Sequence, residues 1–148
     1  MANLVTNIGK GRFVYYAGLP AADDSLVAVV LEATGLEADD ALQDYDTLSD
    51  LLAGASNEQT TMGRKTLANV TVNVNDTNNT ASIDCDDITW TAATGNATGK
   101  LVVCYKPAAA SADSAVIPLT LHDFSVTPDG TDITVQINAA GLATAANA

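Results

Sequence analysis

The sequence predicts a mainly β domain, either a β-sandwich or a small barrel-like fold of about seven strands with one short helix. Short apolar or alternating segments recur along the chain, turn residues separate them, and only one segment repeats its apolar residues at helical spacing. A chain of 148 residues is long enough for one core. With 47% hydrophobic and 16% charged residues, its composition excludes the disordered class.

The first third of the chain predicts an arm and two strands. Residues 1–11 are interpreted as an N-terminal arm, and residues 12–16 (RFVYY) as a first strand because they are aromatic and β-branched. Residues 25–33 (SLVAVVLEA) form a nearly continuous apolar run, which is typical of a strand covered on both faces. We expect that strand to lie at the centre of the core.

One helix is predicted between residues 39 and 56, because apolar residues recur there at steps of three and four. Asp46 is a candidate N-cap, and Gly54 or Gly63 is a candidate stop. The apolar stripe consists of Tyr45, Leu48, Leu51, Leu52 and Ala55.

A hairpin is predicted next. Valines alternate with polar residues over 70–75, the polar turn 75–79 (NDTNN) follows, and the chain then returns as a strand. On the return strand the apolar residues change from odd positions to even ones. A β-bulge at Asp86-Asp87 would resolve this change of phase, and the sole tryptophan, Trp90, would then be a core anchor first and an interface residue second.

The last third predicts three more strands and a tail. Residues 100–106 (KLVVCYK) form a buried strand, and residues 116–126 form a long strand that Pro118 must kink or place at an edge. The Pro128-Asp129-Gly130 turn predicts a hairpin between that strand and residues 133–137. Residues 139–148 are an alanine-rich tail. The single β-rich domain would therefore span residues 12–138.

Charge and the length of the apolar runs each exclude one class of partner. The formal net charge is −12, from 18 acidic and 6 scattered basic residues, so direct binding to nucleic acid is not expected. The longest apolar run, residues 26–31, is far shorter than the roughly 20 residues of a membrane helix. The N-terminus lacks the pattern of a signal peptide. Cys85 and Cys104 are expected to be reduced core thiols, with a disulfide as the open alternative.

Catalytic patterns are weak. His122 and Asp123 are neighbours on a predicted strand, where successive side chains point to opposite faces, so they cannot act as base and orienting acid. Neither acidic cluster has the spacing of a calcium loop, and solvated surface charge is the simpler interpretation. We expect no enzymatic activity, no metal and no cofactor. The clusters are Asp84/Asp86/Asp87 and Asp39/Asp40/Asp44/Asp46/Asp50.

The second half of the chain carries a resemblance. Residues 86–95 (DDITWTAATG), the KLVVCYK strand, residues 117–126 (IPLTLHDFSV) and residues 127–137 (TPDGTDITVQI) follow one another in an order that resembles tailed-bacteriophage virion structural proteins. Within that class the chain is similar to capsid decoration (cement) and minor head proteins. The resemblance covers roughly residues 70–138.

The resemblance implies a decoration protein, made in the host cytoplasm, that binds the exterior of the capsid and stabilises the head. Its partners would be the major capsid protein and further copies of itself, in a homo-oligomer expected to be a trimer. Two alternatives remain open: a tail or baseplate component, and a host-surface or carbohydrate-binding module. The low aromatic content of 5% disfavours the second.

The candidate contact residues lie in the arm, in the predicted first strand and in the tail. Terminal segments without a core of their own would become ordered by lying on a neighbouring chain. The tyrosines fit an interface and the core equally well. The candidates are Leu4, Val5, Ile8, Arg12, Tyr15, Tyr16 and Leu142.

Overall fold

A computed structural model describes residues 3–10 and 12–146, and these contain ten strands and four short helices. The strands are β1 (Leu4–Val5), β2 (Ser25–Glu32), β3 (Lys65–Thr66), β4 (Thr71–Asn75), β5 (Thr80–Asp84), β6 (Ile88–Trp90), β7 (Thr98–Lys106), β8 (Ile117–Asp123), β9 (Ile133–Val135) and β10 (Ala143–Ala146). The helices are α1 (Asn7–Lys10), α2 (Phe13–Ala17), α3 (Asp39–Leu42) and α4 (Leu48–Ala53), and a 3-10 turn spans Asp113–Ala115.

The strands form three antiparallel sheets, so the mainly β, sandwich-like class is confirmed. The main sheet has the order β1-β8-β7-β2-β3, the second sheet has the order β10-β5-β4, and β6 pairs with β9 in the third. The predicted count was about seven strands and one helix. The extra elements are mostly segments of two to five residues at the ends of the chain and between longer strands.

The main sheet is covered on both faces. On β2, Leu26, Ala28 and Val30 face a core shared with Trp90 and the other two sheets, which we call the sheet-side core. The alternate residues of β2 face a second core against α3 and α4, the helix-side core, whose buried members include Leu42, Leu48 and Leu51. The prediction of a central strand covered on both faces is therefore confirmed.

Helix α4 is the core of the predicted helix, and it begins one residue later than expected. Thr47, not Asp46, is the N-cap, and its hydroxyl accepts a hydrogen bond from the backbone N–H of Asp50 at 3.1 Å. Gly54 ends the helix, as predicted. The apolar stripe is confirmed for Leu48 and Leu51, which are fully buried, and for Leu52, which packs against the same core. Tyr45 and Ala55 lie outside the helix, and Ala55 is exposed.

The predicted first strand is wrong, because Phe13–Ala17 is helix α2. Phe13 and Ala17 are one helical turn apart, and both are buried in the sheet-side core. A strand would place Tyr15 on the same face as these two residues, whereas in the helix Tyr15 points away from the core and is 63% exposed. Packing here overrides the strand propensity of aromatic and β-branched residues.

Two predicted strand connections are also wrong. The hairpin β4–β5 forms, but no bulge follows it: the chain leaves the second sheet after Asp84 and enters the third at Ile88, which accounts for the change of phase. Strands β8 and β9 do not pair with each other. Strand β8 lies between β7 and β1, whereas β9 pairs with β6, because the chain crosses between sheets after β8. Beside Pro118, the β7–β8 register shifts, as expected of a kinked strand.

Both ends of the chain lie on sheets of the same chain. Strand β1 pairs with β8, and β10 pairs with β5 over four residue pairs. The expectation that arm and tail need a neighbouring chain to become ordered is therefore wrong for these segments, because β8 and β5 each offer them an open edge. Residues 1, 2, 11, 147 and 148 of the predicted arm and tail lie outside the described residues.

Candidate functional site

The predicted contact residues fall mainly in two places, of which the first is a groove where the two ends of the chain meet. It has a volume of about 250 Å³. We call it the terminal groove, and it is lined by Asn3, Leu4, Val5, Thr120, His122, Leu142, Ala143 and Thr144. It brings together three of the predicted contact residues, Leu4, Val5 and Leu142, although no local pattern in the sequence predicts that arm and tail meet.

The walls of the terminal groove are held by backbone pairing. Leu4 and Val5 lie opposite Leu121 and Thr120 of β8 on one side. On the other side, the backbone N–H of Leu142 donates to the carbonyl of Ile83 at 2.7 Å. The described side chains that line the groove are aliphatic, amide, hydroxyl or imidazole groups. The groove is thus a preformed surface of low charge on a strongly acidic chain.

His122 is the titratable group of the terminal groove. Its Nε2 is 2.8 Å from the hydroxyl oxygen of Thr120. Burial lowers the pKa of His122, the nearby Lys100 lowers it further, and Asp123 opposes the shift. Asp123 itself binds Lys100 at 2.7 Å. The structure therefore gives His122 a hydroxyl partner, whereas Asp123 binds Lys100.

We predict that acidification destabilises the protein through His122. The imidazole of the unfolded chain gains a proton as the pH falls through its ordinary pKa of 6.5, whereas the folded chain resists protonation because its pKa is lowered. The free energy of unfolding should therefore be highest above pH 6.5 and decrease below it. Urea denaturation at pH 7.5 and 5.5 should show a smaller decrease for His122→Gln than for the parent chain. Equal decreases in both proteins would contradict the assignment.

The second place is a cluster of aromatic and charged side chains on α2, on β7 and in the segments just before α2 and β2. We call it the tyrosine cluster, and its members are Arg12, Tyr15, Tyr16, Asp24 and Tyr105. Tyr16 stacks on Tyr105 with ring centroids 4.4 Å apart, and Tyr15 meets Tyr16 edge-to-face at 5.4 Å. The hydroxyl of Tyr105 donates to Asp24 Oδ2 at 2.9 Å. Burial, and then this hydrogen bond, raise the pKa of Tyr105 to about 12.

The members of the tyrosine cluster have different roles. Tyr105 is buried, and Tyr16 packs against the sheet-side core, so these two rings hold α2 on the main sheet. Tyr15 is 63% exposed and lies on the outer side of Tyr16. Arg12 is exposed, with Nη1 3.4 Å from the Tyr16 hydroxyl. Of the two predicted tyrosines, Tyr16 is therefore a packing residue, and Tyr15 is an exposed ring in edge-to-face contact with it.

Ile8 belongs to neither place. It lies on α1, a single turn that packs against β8, and it is partly exposed. The turn is held by Thr6, whose buried hydroxyl donates to the carbonyl of Pro118 at 2.6 Å. This contact fixes the chain between β1 and α1. The structure therefore supports Ile8 as part of this turn and gives no separate support for it as a contact residue.

The acidic clusters act as hydrogen-bond acceptors within the chain. Asp86 Oδ2 accepts from the side-chain amide of Asn69 at 2.7 Å, and Asp87 Oδ1 accepts from the backbone N–H of Ile137 at 2.8 Å. Asp50 caps α4 with Thr47, and Asp39 binds Lys100 at 2.9 Å. Over residues 3–10 and 12–146, no group of three or more His, Cys, Asp or Glu side chains could hold a metal ion.

No protein-family model, curated protein or solved structure matches this chain. The assignment of a role therefore depends on the two surfaces and on the sequence motifs. Within the part of the chain that the structure describes, no helix has the length and apolar character needed to cross a membrane.

Sequence reasoning missed several groups that shape these surfaces. Asn3, Thr120 and His122 line the terminal groove, and Asp24 anchors Tyr105 in the tyrosine cluster. The sequence predicts a non-catalytic surface or core histidine at His122, but nothing local in it shows that β8 is reached by both ends of the chain. Asp24 follows the Pro20 turn and precedes a strand, so its partner on β7, 81 positions away, carries no local signal.

Proposed function

We propose that this protein is a bacteriophage virion structural protein that binds the exterior of the capsid as a homo-oligomer and stabilises the head. The observation that carries the proposal is the contrast between a net charge of −12 and the low charge of the terminal groove, together with the exposed ring of Tyr15. The order of motifs over residues 86–137, which resembles capsid decoration and minor head proteins, supports the same role.

The charge contrast supports docking for a physical reason. Burying a charged side chain at an interface is costly unless it is paired, whereas aliphatic and aromatic groups are desolvated with a gain, and amide or hydroxyl groups can be buried when they find a hydrogen-bond partner. The carboxylates over the rest of the chain repel other copies except where a specific interface forms, and they suppress nonspecific contacts. A surface with this distribution favours a few specific interfaces over general adhesion.

The position of the chain ends changes how docking would work. The sequence suggested arms that clamp neighbouring subunits, but β1 and β10 lie on their own chain. The proposed contact is therefore a preformed one, made by the terminal groove and Tyr15. A preformed surface loses less conformational freedom on binding than a segment that must first become ordered. Repetition over a capsid lattice then multiplies a modest contact.

The proposal predicts that Tyr15→Ala weakens capsid binding without loss of fold. Tyrosine is one of the residues that most often dominate an interface, and Tyr15 is an exposed ring held against Tyr16, so its truncation should weaken binding by roughly tenfold or more. The measurement is co-sedimentation of the chain with empty capsids assembled from the major capsid protein of the same genome. Tyr15→Phe, which keeps the ring, and Thr60→Ala, an exposed residue outside both surfaces, are the controls.

The same experiment decides between the proposed role and its alternatives. A parent chain that does not co-sediment with capsids at micromolar concentrations contradicts the decoration role. Electron microscopy of the virion with labelled protein then separates a head location from a tail or baseplate location. The exposed ring of Tyr15 beside Arg12 is the feature that a carbohydrate-binding module would use. Glycan binding that Tyr15→Ala abolishes would support that second candidate.

A further inference from the structure

Strand β4 is an open sheet edge without the usual protection. It forms one end of the second sheet, and with five residues it is the longest edge strand among those described. Its sequence, TVNVN, contains no charged residue and no proline. Natural proteins usually protect such edges with lysine, proline, a bulge or a short strand, because an open edge pairs readily with another chain.

The inner face of β4 continues beyond the core. Val72 lies opposite Ile83 and packs partly against the sheet-side core. Val74 lies opposite Ala81 on the same face but is 70% exposed, the largest exposure of any large apolar residue described. The apolar face formed by Val72 and Val74 thus extends into solvent near the hairpin turn. A further strand paired with β4 would cover it.

We propose that β4 pairs with β4 of a second copy of the chain, antiparallel and about a two-fold axis at Asn73. In this register, Val72 lies opposite Val74 of the second copy, and Thr71 lies opposite its Asn75. Residues directly opposite each other share a face in an antiparallel pair, so each exposed Val74 gains a valine neighbour. The three-stranded second sheets of the two copies then join into one six-stranded sheet. This inference deepens the proposed homo-oligomer, on which it rests, and replaces the expected trimer by a two-fold contact.

The distribution of charge favours a second copy of the chain as the partner of β4. Two chains that each carry −12 can approach closely only where their carboxylates are absent or far apart. The carboxylates of the hairpin nearest to β4 are Asp76 in the turn and Asp84, which lies opposite Thr71 on β5. In this register the shortest separation between carboxylate-bearing residues of the two copies joins Asp84 to the other copy's Asp76, two strands and one position away, or roughly 10 Å. That distance exceeds the Debye length of about 8 Å at physiological ionic strength. A basic partner would instead be drawn to carboxylates, which β4 lacks.

Asn73→Cys tests the pairing directly. Cβ atoms of opposed residues lie about 4.5–5.5 Å apart, close to the spacing of a disulfide, so the introduced thiols of the two copies should cross-link under mild oxidation. The native thiols do not compete: Cys85 and Cys104 are buried in different cores, and burial raises the pKa of Cys85 to about 11. The readout is a covalent dimer on a non-reducing gel.

Thr71→Cys is the matched control. Thr71 is exposed on the same strand, but in the proposed register the two copies of residue 71 lie four positions apart, roughly 13 Å, which is too far for a disulfide. We expect most of Asn73→Cys and little of Thr71→Cys to form the dimer. Equal cross-linking of the two variants, or none by Asn73→Cys, overturns the register.

Asn73→Asp provides a test without cross-linking. It places two carboxylates directly opposite each other at the axis, so dimerisation should weaken about fivefold or more, while the circular dichroism spectrum stays unchanged. Light scattering after size exclusion should give a dimer for the parent chain at micromolar concentrations. A parent chain that is monomeric throughout overturns the pairing. Capsid binding is read separately: a dimer that fails to bind capsids contradicts the proposed function alone, and a capsid-binding monomer contradicts the pairing alone.

Discussion

Replacing Lys100 by methionine should lower the free energy of unfolding by about 3–5 kcal/mol, because it breaks a buried ion cluster. The Lys100 side chain on β7 is fully buried, and its Nζ is 2.9 Å from Asp39 Oδ1 of α3 and 2.7 Å from Asp123 Oδ1 of β8. Methionine has a similar length, so the main loss is the cation that both carboxylates share. Urea denaturation, with the slope checked for two-state behaviour, measures the effect.

The carboxylates supply the controls for this prediction. Their side chains are 21% and 41% exposed, so water can solvate them partly, which favours the lower end of the range. Asp123→Asn should cost less than Lys100→Met, because Asp39 still neutralises the lysine. Combining Lys100→Met with Asp39→Asn and Asp123→Asn should recover part of the loss. A Lys100→Met chain whose stability is indistinguishable from that of the parent would show that the cluster does not tie α3 to the main sheet.

The central strands of the fold were predictable because both of their faces are buried. Residues 25–33 and 100–106 are apolar at nearly every position, and they form the adjacent strands β2 and β7. Helix α4 was predictable for a similar reason, since Leu48 and Leu51 repeat at a helical step and face one core. In these segments, local propensity and tertiary packing favour the same structure.

The remaining elements depend on contacts that are distant in sequence. Phe13–Ala17 has a strand-like composition, but it forms a helix whose residues Phe13 and Ala17 pack in the sheet-side core. The phase change after Asp84 has two solutions, a bulge or a move to another sheet, and no residue nearby distinguishes them. The strand β1 is fixed by pairing with β8, and Thr6 binds Pro118 at a separation of 112 positions. A pattern of a few residues contains no information about such partners.

The candidate site was only partly predictable. Leu4, Val5 and Leu142 were identified as apolar residues at chain ends, and they line one groove, but that groove belongs to a single chain. Tyr15 and Tyr16 are neighbours with the same side chain, and only the structure shows that Tyr15 is exposed while Tyr16 stacks on Tyr105. Which of two neighbouring tyrosines is exposed depends on how α2 packs against β7, and the local sequence does not show this.

Trp90→Ala should reduce the free energy of unfolding by about 3–5 kcal/mol, because it opens a large cavity where two sheets and a loop meet. Trp90 ends β6 and is 1% exposed, and its ring centroid lies 5.8 Å from that of Phe124. Its indole N–H donates to the carbonyl of Gly63 at 2.9 Å, which ties the third sheet to the segment before β3. Urea denaturation measures the loss.

A conservative variant separates the packing of Trp90 from its hydrogen bond. Trp90→Phe keeps much of the ring but removes the N–H, so the Gly63 carbonyl loses its donor and the cost should fall to roughly 1–3 kcal/mol. Tyr15→Ala, which truncates a ring that is 63% exposed, should cost less than either. This order follows from the burial of Trp90 and from its hydrogen bond to Gly63. If Trp90→Ala were no more harmful than Tyr15→Ala, the third sheet would not be packed on the main sheet through Trp90.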